Sequence, residues 1–249
     1  MGEMKVLLTN DDGVFAEGIR ALKEAFEGWG EVFVVAPDRE RTAIAHALTL
    51  HRPLRLEQMA ERVFAVDGTP VDCVHMAISQ VMGSKPDLLV SGINNGPNMG
   101  EEVVYSGTVS AAFEATFLGI PAFAISLATR RDHRYRTAAQ VALKVARAIL
   151  EHGLPERTFL NINVPNCEEG ELKGFKITRL GRRLFSDCII ERVDPRGKKY
   201  YWIGGAEPGY SPLDGSDFDA VASGYVSVTP LRVDLTDEGA MEVLARWGL

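Results

Sequence analysis

Runs of uninterrupted apolar residues recur along the chain at Val6–Leu8, Val32–Ala36, Leu88–Val90, Ile120–Ile125 and Phe159–Val164, the last broken only by two asparagines. Continuous rather than alternating apolar character marks strands covered on both faces, the habit of parallel sheets. Between the first two runs, Ile19, Leu22 and Phe26 share one face with Arg20, Lys23, Glu24 and Glu27 opposite. That spacing predicts an amphipathic helix over 17–27, ended by Gly28 and Gly30. Thr69 as N-cap and Pro70 at the first helical position predict a second helix reaching about Met82 and burying Val74, Ala77, Ile78 and Val81. A third helix begins near Ser106 or Thr108. A fourth covers 136–152, with Ala138, Val141, Ala142, Val145 and Ile149 on one stripe. Strand, helix and strand in immediate succession make right-handed βαβ units.

Two stretches follow a different rhythm. Residues 48–67 alternate, with Leu48, Leu50, Leu54, Leu56, Val63, Phe64 and Val66 separated by polar positions, and read as paired strands. Beyond Val164 the strands become short: 175–180, 188–193 and 200–203, the last two flanking an Asp194-Pro-Arg-Gly197 turn. A segment over 218–228 and a helix from about Asp237, capped by Thr236, close the chain. The pattern gives an α/β protein with a mostly parallel sheet, read as one domain over 1–249. The stretch 182–216 is too small for a core of its own and reads as a hairpin arm packing on the main body or on another subunit.

Composition narrows the function. The 249 residues carry 27 Lys plus Arg against 34 Asp plus Glu, a formal charge of −7. Coating polymeric nucleic acid needs a basic face, so that class is excluded; a small phosphorylated ligand is not. Cys73, Cys167 and Cys188 are odd in number and show no Cys-x-x-Cys pair, so neither a disulfide framework nor a thiolate zinc site is expected, and buried apolar roles are. No signal peptide or membrane span is legible, and a cytoplasmic protein is expected.

The candidate chemistry lies where strands stop. The first run ends in Thr9-Asn-Asp-Asp-Gly13. Two carboxylates about 4 Å apart repel by roughly 4 kcal/mol at an effective dielectric near 20, which solvent, a raised pKa or a bound cation can relieve. The same residues also suit an Asx turn capping the next helix. His75 reads as an ordinary helical histidine, because no second ligand stands at metal spacing in the sequence. Asn94-Asn-Gly-Pro-Asn-Met-Gly100 is either a plain surface loop or a source of amide oxygens and close backbone approach. Ser106-Gly-Thr108 opens a helix whose free N–H groups suit a phosphate. In an open parallel sheet ligands gather at the carboxyl edge, which predicts that Asp11, Asp12, Thr42, Asn94, Asn98, Ser106 and Thr108 converge. Their oxygens suit Mg²⁺ or Mn²⁺.

Taken together, Thr9–Gly13, Ala36-Pro-Asp-Arg39, Gly68-Thr-Pro-Val-Asp-Cys73, Ser91-Gly-Ile-Asn94 with Gly96-Pro-Asn98, Ser106–Thr108, Asn161-Ile-Asn-Val-Pro165, Tyr201-Trp-Ile203 and Gly224–Pro230 resemble the motifs of the SurE (survival protein E) family of metal-dependent nucleotidases. The resemblance implies a three-layer α/β/α Rossmann-like core, a swapped C-terminal arm and a homodimer or homotetramer. It implies hydrolysis of nucleoside 5′-monophosphates, with 3′-nucleotides and polyphosphate as further candidate substrates. By motif match, one divalent cation falls on Asp11, Asp12, Thr42 and Asn94, and the phosphate pocket on Asn98, Ser106, Gly107 and Thr108. Thr42 stands where the family usually has serine. Asp11 and Asp12 are the expected catalytic groups, with either a water or an aspartate as nucleophile. Three rivals stand beside this reading: a nucleotide-binding regulator or dehydrogenase, a phosphatase for other esters, and a structural protein. Gly-x-Gly-x-x-Gly is absent after the first strand, which weighs against a dinucleotide.

Overall fold

A computed structural model describes residues 3–183, 189–203, 209–211 and 213–248. In chain order these form β1 (Lys5–Thr9), α1 (Glu17–Ala25), β2 (Glu31–Pro37), β3 (Leu56–Ala60), β4 (Val63–Val66), α2 (Pro70–Met76), β5 (Leu88–Asn95), α3 (Gly107–Phe117) and β6 (Ala122–Leu127). They continue as α4 (Tyr135–His152), β7 (Thr158–Val164), β8 (Phe175–Ile177), β9 (Arg182–Arg183), β10 (Ile189–Val193), β11 (Lys199–Ile203), β12 (Tyr210–Ser211), α5 (Asp217–Ala222), β13 (Val226–Arg232) and α6 (Glu238–Leu244).

Nine strands build one sheet in the order β3-β4-β2-β1-β5-β6-β7-β13-β8. From β4 to β7 every neighbour is parallel; β3 against β4 and β13 against β7 are antiparallel. Side chains alternate across a strand, so the continuous apolar run of β1 divides between two cores. Val6 and Leu8 join Ile19 and Leu22 of α1, Phe26 just after it, and Val141 and Ile149 of α4. Leu7 joins Val74 of α2 and Val109 and Ala112 of α3. One strand feeding both cores makes three layers, α/β/α. Fully burying such a side chain contributes roughly 2 kcal/mol.

The chain from β1 proceeds first to β2 on one side, and β5 then adds on the other. The β1–β5 junction is therefore the topological switch point, where an open α/β sheet leaves a crevice beyond its carboxyl edge. Thr9 and Ser91 are register partners there.

Several local expectations are corrected. Residues 48–55 are irregular: Leu48 and Leu50 face solvent, and Leu54 alone of the alternating leucines there packs, half-buried, against a core. The second helix is α-helical only to Met76 and continues as a π-helical turn over Ala77–Met82. Residues 217–222 form α5, an element the sequence does not predict, and α6 is capped by Asp237, whose carboxylate accepts from Ala240 N–H, not by Thr236. Ser106 rather than Thr108 caps α3. Cys73 is buried, with its thiol pushed well above the usual range by burial, and Cys167 is half-buried; Cys188 lies outside the described residues. No helix among the described residues is long and apolar enough to cross a membrane.

Candidate active site

The turn after β1 is set by Asn10. Its side-chain amide donates to Gly13 O at 3.0 Å and accepts from Gly13 N–H at 3.2 Å. Gly13 has a φ of +104°, a conformation that side chains resist. The Asx turn thus exists, but Asn10 makes it, and Asp11 and Asp12 are left for other work. They do not cap α1 either, whose N-cap is Ala16 with no side-chain bond.

Both carboxylates line a cleft of about 250 Å³ shared with Thr42, Asn94, Asn98 and Ser106. The structure therefore brings together six of the eight residues singled out in the sequence. Gly107 and Thr108 stand one layer behind. A Cβ on Gly107 would lie 2.8 Å from Asp11 Cβ, so glycine lets the start of α3 approach the carboxylate closely. The fully buried Thr108 directs its hydroxyl at Asp11 Oδ1, and at Asn94 Oδ1 at 3.1 Å. One hydroxyl thereby locks two of the cleft's oxygen donors together.

Asp11 is only 6% exposed, and burial, aided by the neighbouring Asp12 charge, pushes its carboxyl up to about 6. The Asp12 carboxyl is also raised, chiefly by burial with a contribution from Glu40, while a bond from Asn95 N–H at 3.0 Å and the nearby His133 oppose the shift. The site thus holds two acids where ionising both is costly. The donors on offer are two carboxylates, an amide oxygen and a hydroxyl, with no nitrogen or sulfur ligand, and they fit a hard divalent cation. Among the described residues no group of three His, Cys, Asp or Glu is arranged to hold a metal.

The asparagine-rich loop is no free surface loop. Asn98 N–H donates to Asn163 Oδ1 at 2.8 Å, and Asn98 O accepts from Asn161 Nδ2 at 2.8 Å and Asn163 Nδ2 at 2.9 Å. The Asn98 amide bonds Ser126 Oγ at 2.8 Å, and Gly100 N–H donates to Asp217 Oδ2 at 2.7 Å. On the other rim, Arg41 N–H donates to Asp11 O at 2.7 Å, and Ala45 N–H to Tyr105 O at 3.0 Å. Each side of the cleft is pinned by groups distant in sequence.

A model of the survival protein SurE family matches residues 6–187. The chain belongs to the SurE family. It is 53% identical over 245 residues to a protein of Geotalea daltonii named 5′-nucleotidase SurE, spanning 98% of this chain and 99% of that one. A Geobacter sulfurreducens protein of the same name is 53% identical over 247 residues, spanning 99% and 94%. The crystal structure of the SurE protein from Aquifex aeolicus superposes with a TM-score of 0.88 at 42% identity, covering 98% of this chain and all of that one.

Some residues of this cleft are not visible as candidates in the sequence. Glu40 lines the cleft and its carboxylate takes the Thr42 hydroxyl bond. Asn95 holds Asp12, and Arg130 lines the far wall. The polar character of the 37–42 loop could have flagged Glu40; nothing in the sequence sets Arg130 apart from the arginines around it. His75 meets an unexpected partner, since its Nε2 lies 2.9 Å from Glu114 Oε1, with His46 Nε2 2.8 Å from the other oxygen. Only packing of α2 on α3 creates that trio, and it holds the Glu114 carboxyl below its usual range, His46 contributing most.

Proposed function

We propose that this chain is a divalent-metal-dependent 5′-nucleotidase that hydrolyses nucleoside monophosphates to nucleoside and phosphate. The observation that carries this is the meeting of Asp11, Asp12, Asn94 and the Ser106 helix start around one cleft at the switch point. The names of the full-length relatives support the same reaction.

Asp11, Asp12, Thr42 and Asn94 would hold Mg²⁺ or Mn²⁺, which supplies a Lewis acid that polarises the phosphoryl group and makes a water more acidic. Thr108 keeps Asp11 fixed, and Asn95 keeps Asp12 fixed, so neither acid needs to reorganise as charge develops. That fixed role favours water over Asp11 as the attacking group. Asn98 serves the phosphate as a donor: one hydrogen of its NH₂ goes to Ser126 Oγ, the second is left to face an anion, and the Asn161 and Asn163 bonds to its carbonyl hold the residue there. Ser106, at the N-terminus of α3, presents helix-start N–H groups to the same oxygens. A homodimer or homotetramer is supported by the β10–β11 hairpin, whose Trp202 and Ile203 stand in solvent.

Release of inorganic phosphate from AMP, abolished by EDTA and restored by Mg²⁺ or Mn²⁺, tests the reading; no release with either metal overturns it. A single turnover in ¹⁸O-water distinguishes the nucleophile, because label in the protein rather than in phosphate would exclude direct attack by water.

A further inference from the structure

We propose that Arg130 binds the anionic group of the substrate, resting on the nucleotidase reading above. Arg130 follows β6, so it reaches the cleft across β5 from the Asp11–Asp12 turn. The cleft wall carries the acids Asp11, Asp12 and Glu40, and Arg130 is the one cation among its described lining residues. A phosphate monoester entering such a wall meets like charge from several sides. Two positive charges on a metal offset only part of that, and a guanidinium on the opposite wall adds the missing complement.

Arg130 is also uncommitted. Among the described residues it makes no hydrogen bond or ion pair, whereas Arg41, Arg52 and Arg134 are engaged with Asp38, Asp67 and Glu168. Its position is nevertheless defined. The side chain runs across Gly96, where a Cβ would sit 3.7 Å from both Arg130 Cγ and Cζ. The loop behind it is fastened by Ala128 N–H to Val164 O at 2.8 Å and by Arg134 N–H to Asn166 Oδ1 at 2.9 Å. A planar guanidinium offers paired donors that match two phosphate oxygens, which a lysine cannot reproduce. An anion placed between the walls would have the paired acids and their cation on one side and this fork on the other.

The test uses Arg130→Gln and Arg130→Lys in the full chain. Arg130→Gln is expected to raise KM for AMP and Ki for inorganic phosphate about tenfold, the loss expected of one charge-assisted contact. Mn²⁺ affinity measured by electron paramagnetic resonance without substrate should stay within about twofold by the same reasoning, and Arg130→Lys should recover part of the lost phosphate affinity. Unchanged KM and Ki in Arg130→Gln overturn the proposal. So does a loss of Mn²⁺ affinity as large as the loss of phosphate affinity, which would make the effect indirect. Calorimetric titration of the unsubstituted protein and of Arg130→Gln with inorganic phosphate separates the two readings. Phosphate binding that depends on Arg130 without turnover of AMP would leave this proposal standing and overturn the nucleotidase one.

Discussion

At the carboxyl edge of the sheet Thr9, Asn10, Asp11, Asn98 and Thr108 are polar yet buried, whereas on the β10–β11 hairpin Ile189, Trp202 and Ile203 are apolar yet exposed, Ile203 by 94%. The two regions depart from inside–outside segregation in opposite directions, for different reasons. Buried polar groups cost free energy unless each finds a partner; at the edge Asn98 and Asp11 find theirs in Asn163, Ser126 and Thr108, while Thr9 Oγ1, Ser91 Oγ and Asn161 Oδ1 have none among the described residues. Costlier still is the pair of acids, the sign of a site awaiting opposite charge. Exposed apolar side chains cost solubility instead, and a two-stranded ribbon is marginal alone, so the hairpin is the part that the described residues leave without a packed face.

The comparison breaks most directly at Asp12. Asp12→Asn should lower AMP turnover by about a thousandfold or more while the fold is retained, because a fixed anionic donor is lost; near-normal turnover with Mg²⁺ or Mn²⁺ would remove Asp12 from the site. Asp11→Asn should abolish activity similarly but stabilise the metal-free protein. The sign follows from the raised carboxyl: folded Asp11 titrates at about 6 against an ordinary 3.8, so the fold holds its proton more tightly than the unfolded chain does. In EDTA its contribution is neutral below about pH 4, grows more destabilising as pH rises to about 6, and is constant above. The stability gap between Asp11→Asn and the unsubstituted protein should therefore open from near zero at pH 4 to about 2–3 kcal/mol at pH 7, read by urea denaturation. A gap independent of pH would mean Asp11 is not penalised by burial.

At the other pole, replacing Trp202 and Ile203 by serine should weaken self-association roughly thirtyfold or more in sedimentation velocity, with little change in AMP turnover per folded subunit at high concentration. Unaltered association would remove the hairpin from the interface. Asn163→Ala sharpens the polar side of the contrast. It frees Asn98 from two of its bonds and should cost about 1–3 kcal/mol of stability and roughly tenfold in turnover. Thr42→Ser, which removes one methyl from an exposed side chain, should change turnover less than about threefold and stability by under about 0.5 kcal/mol.

Where sequence reading succeeded, the information was local. The runs at 6–8, 32–36, 88–90, 120–125 and 159–164 became β1, β2, β5, β6 and β7 because covered parallel strands need apolar residues on both faces. The Thr69–Pro70 cap and the 194–197 turn succeeded for the same reason, since each depends on neighbours in the chain. Where it failed, the deciding contact was distant or missing. The alternation at 48–54 looks like a strand but has nothing to pair with. The helix at 217–222 is anchored through Asp217, whose carboxylate reaches Gly100 N–H, 117 residues away.

By itself the sequence determined that an α/β sheet would form, that its strands would stop at polar loops, and that those loops would carry oxygen donors suited to a hard cation. Only the tertiary structure decided which donors share one cleft, that Thr108 braces Asp11 rather than facing the cavity, and that Glu40 and Arg130 complete its walls. The division has a physical origin. Propensity, capping and apolar periodicity act over a few residues, whereas burial, pKa and charge complementarity depend on whatever packing places within a few ångströms, regardless of chain distance.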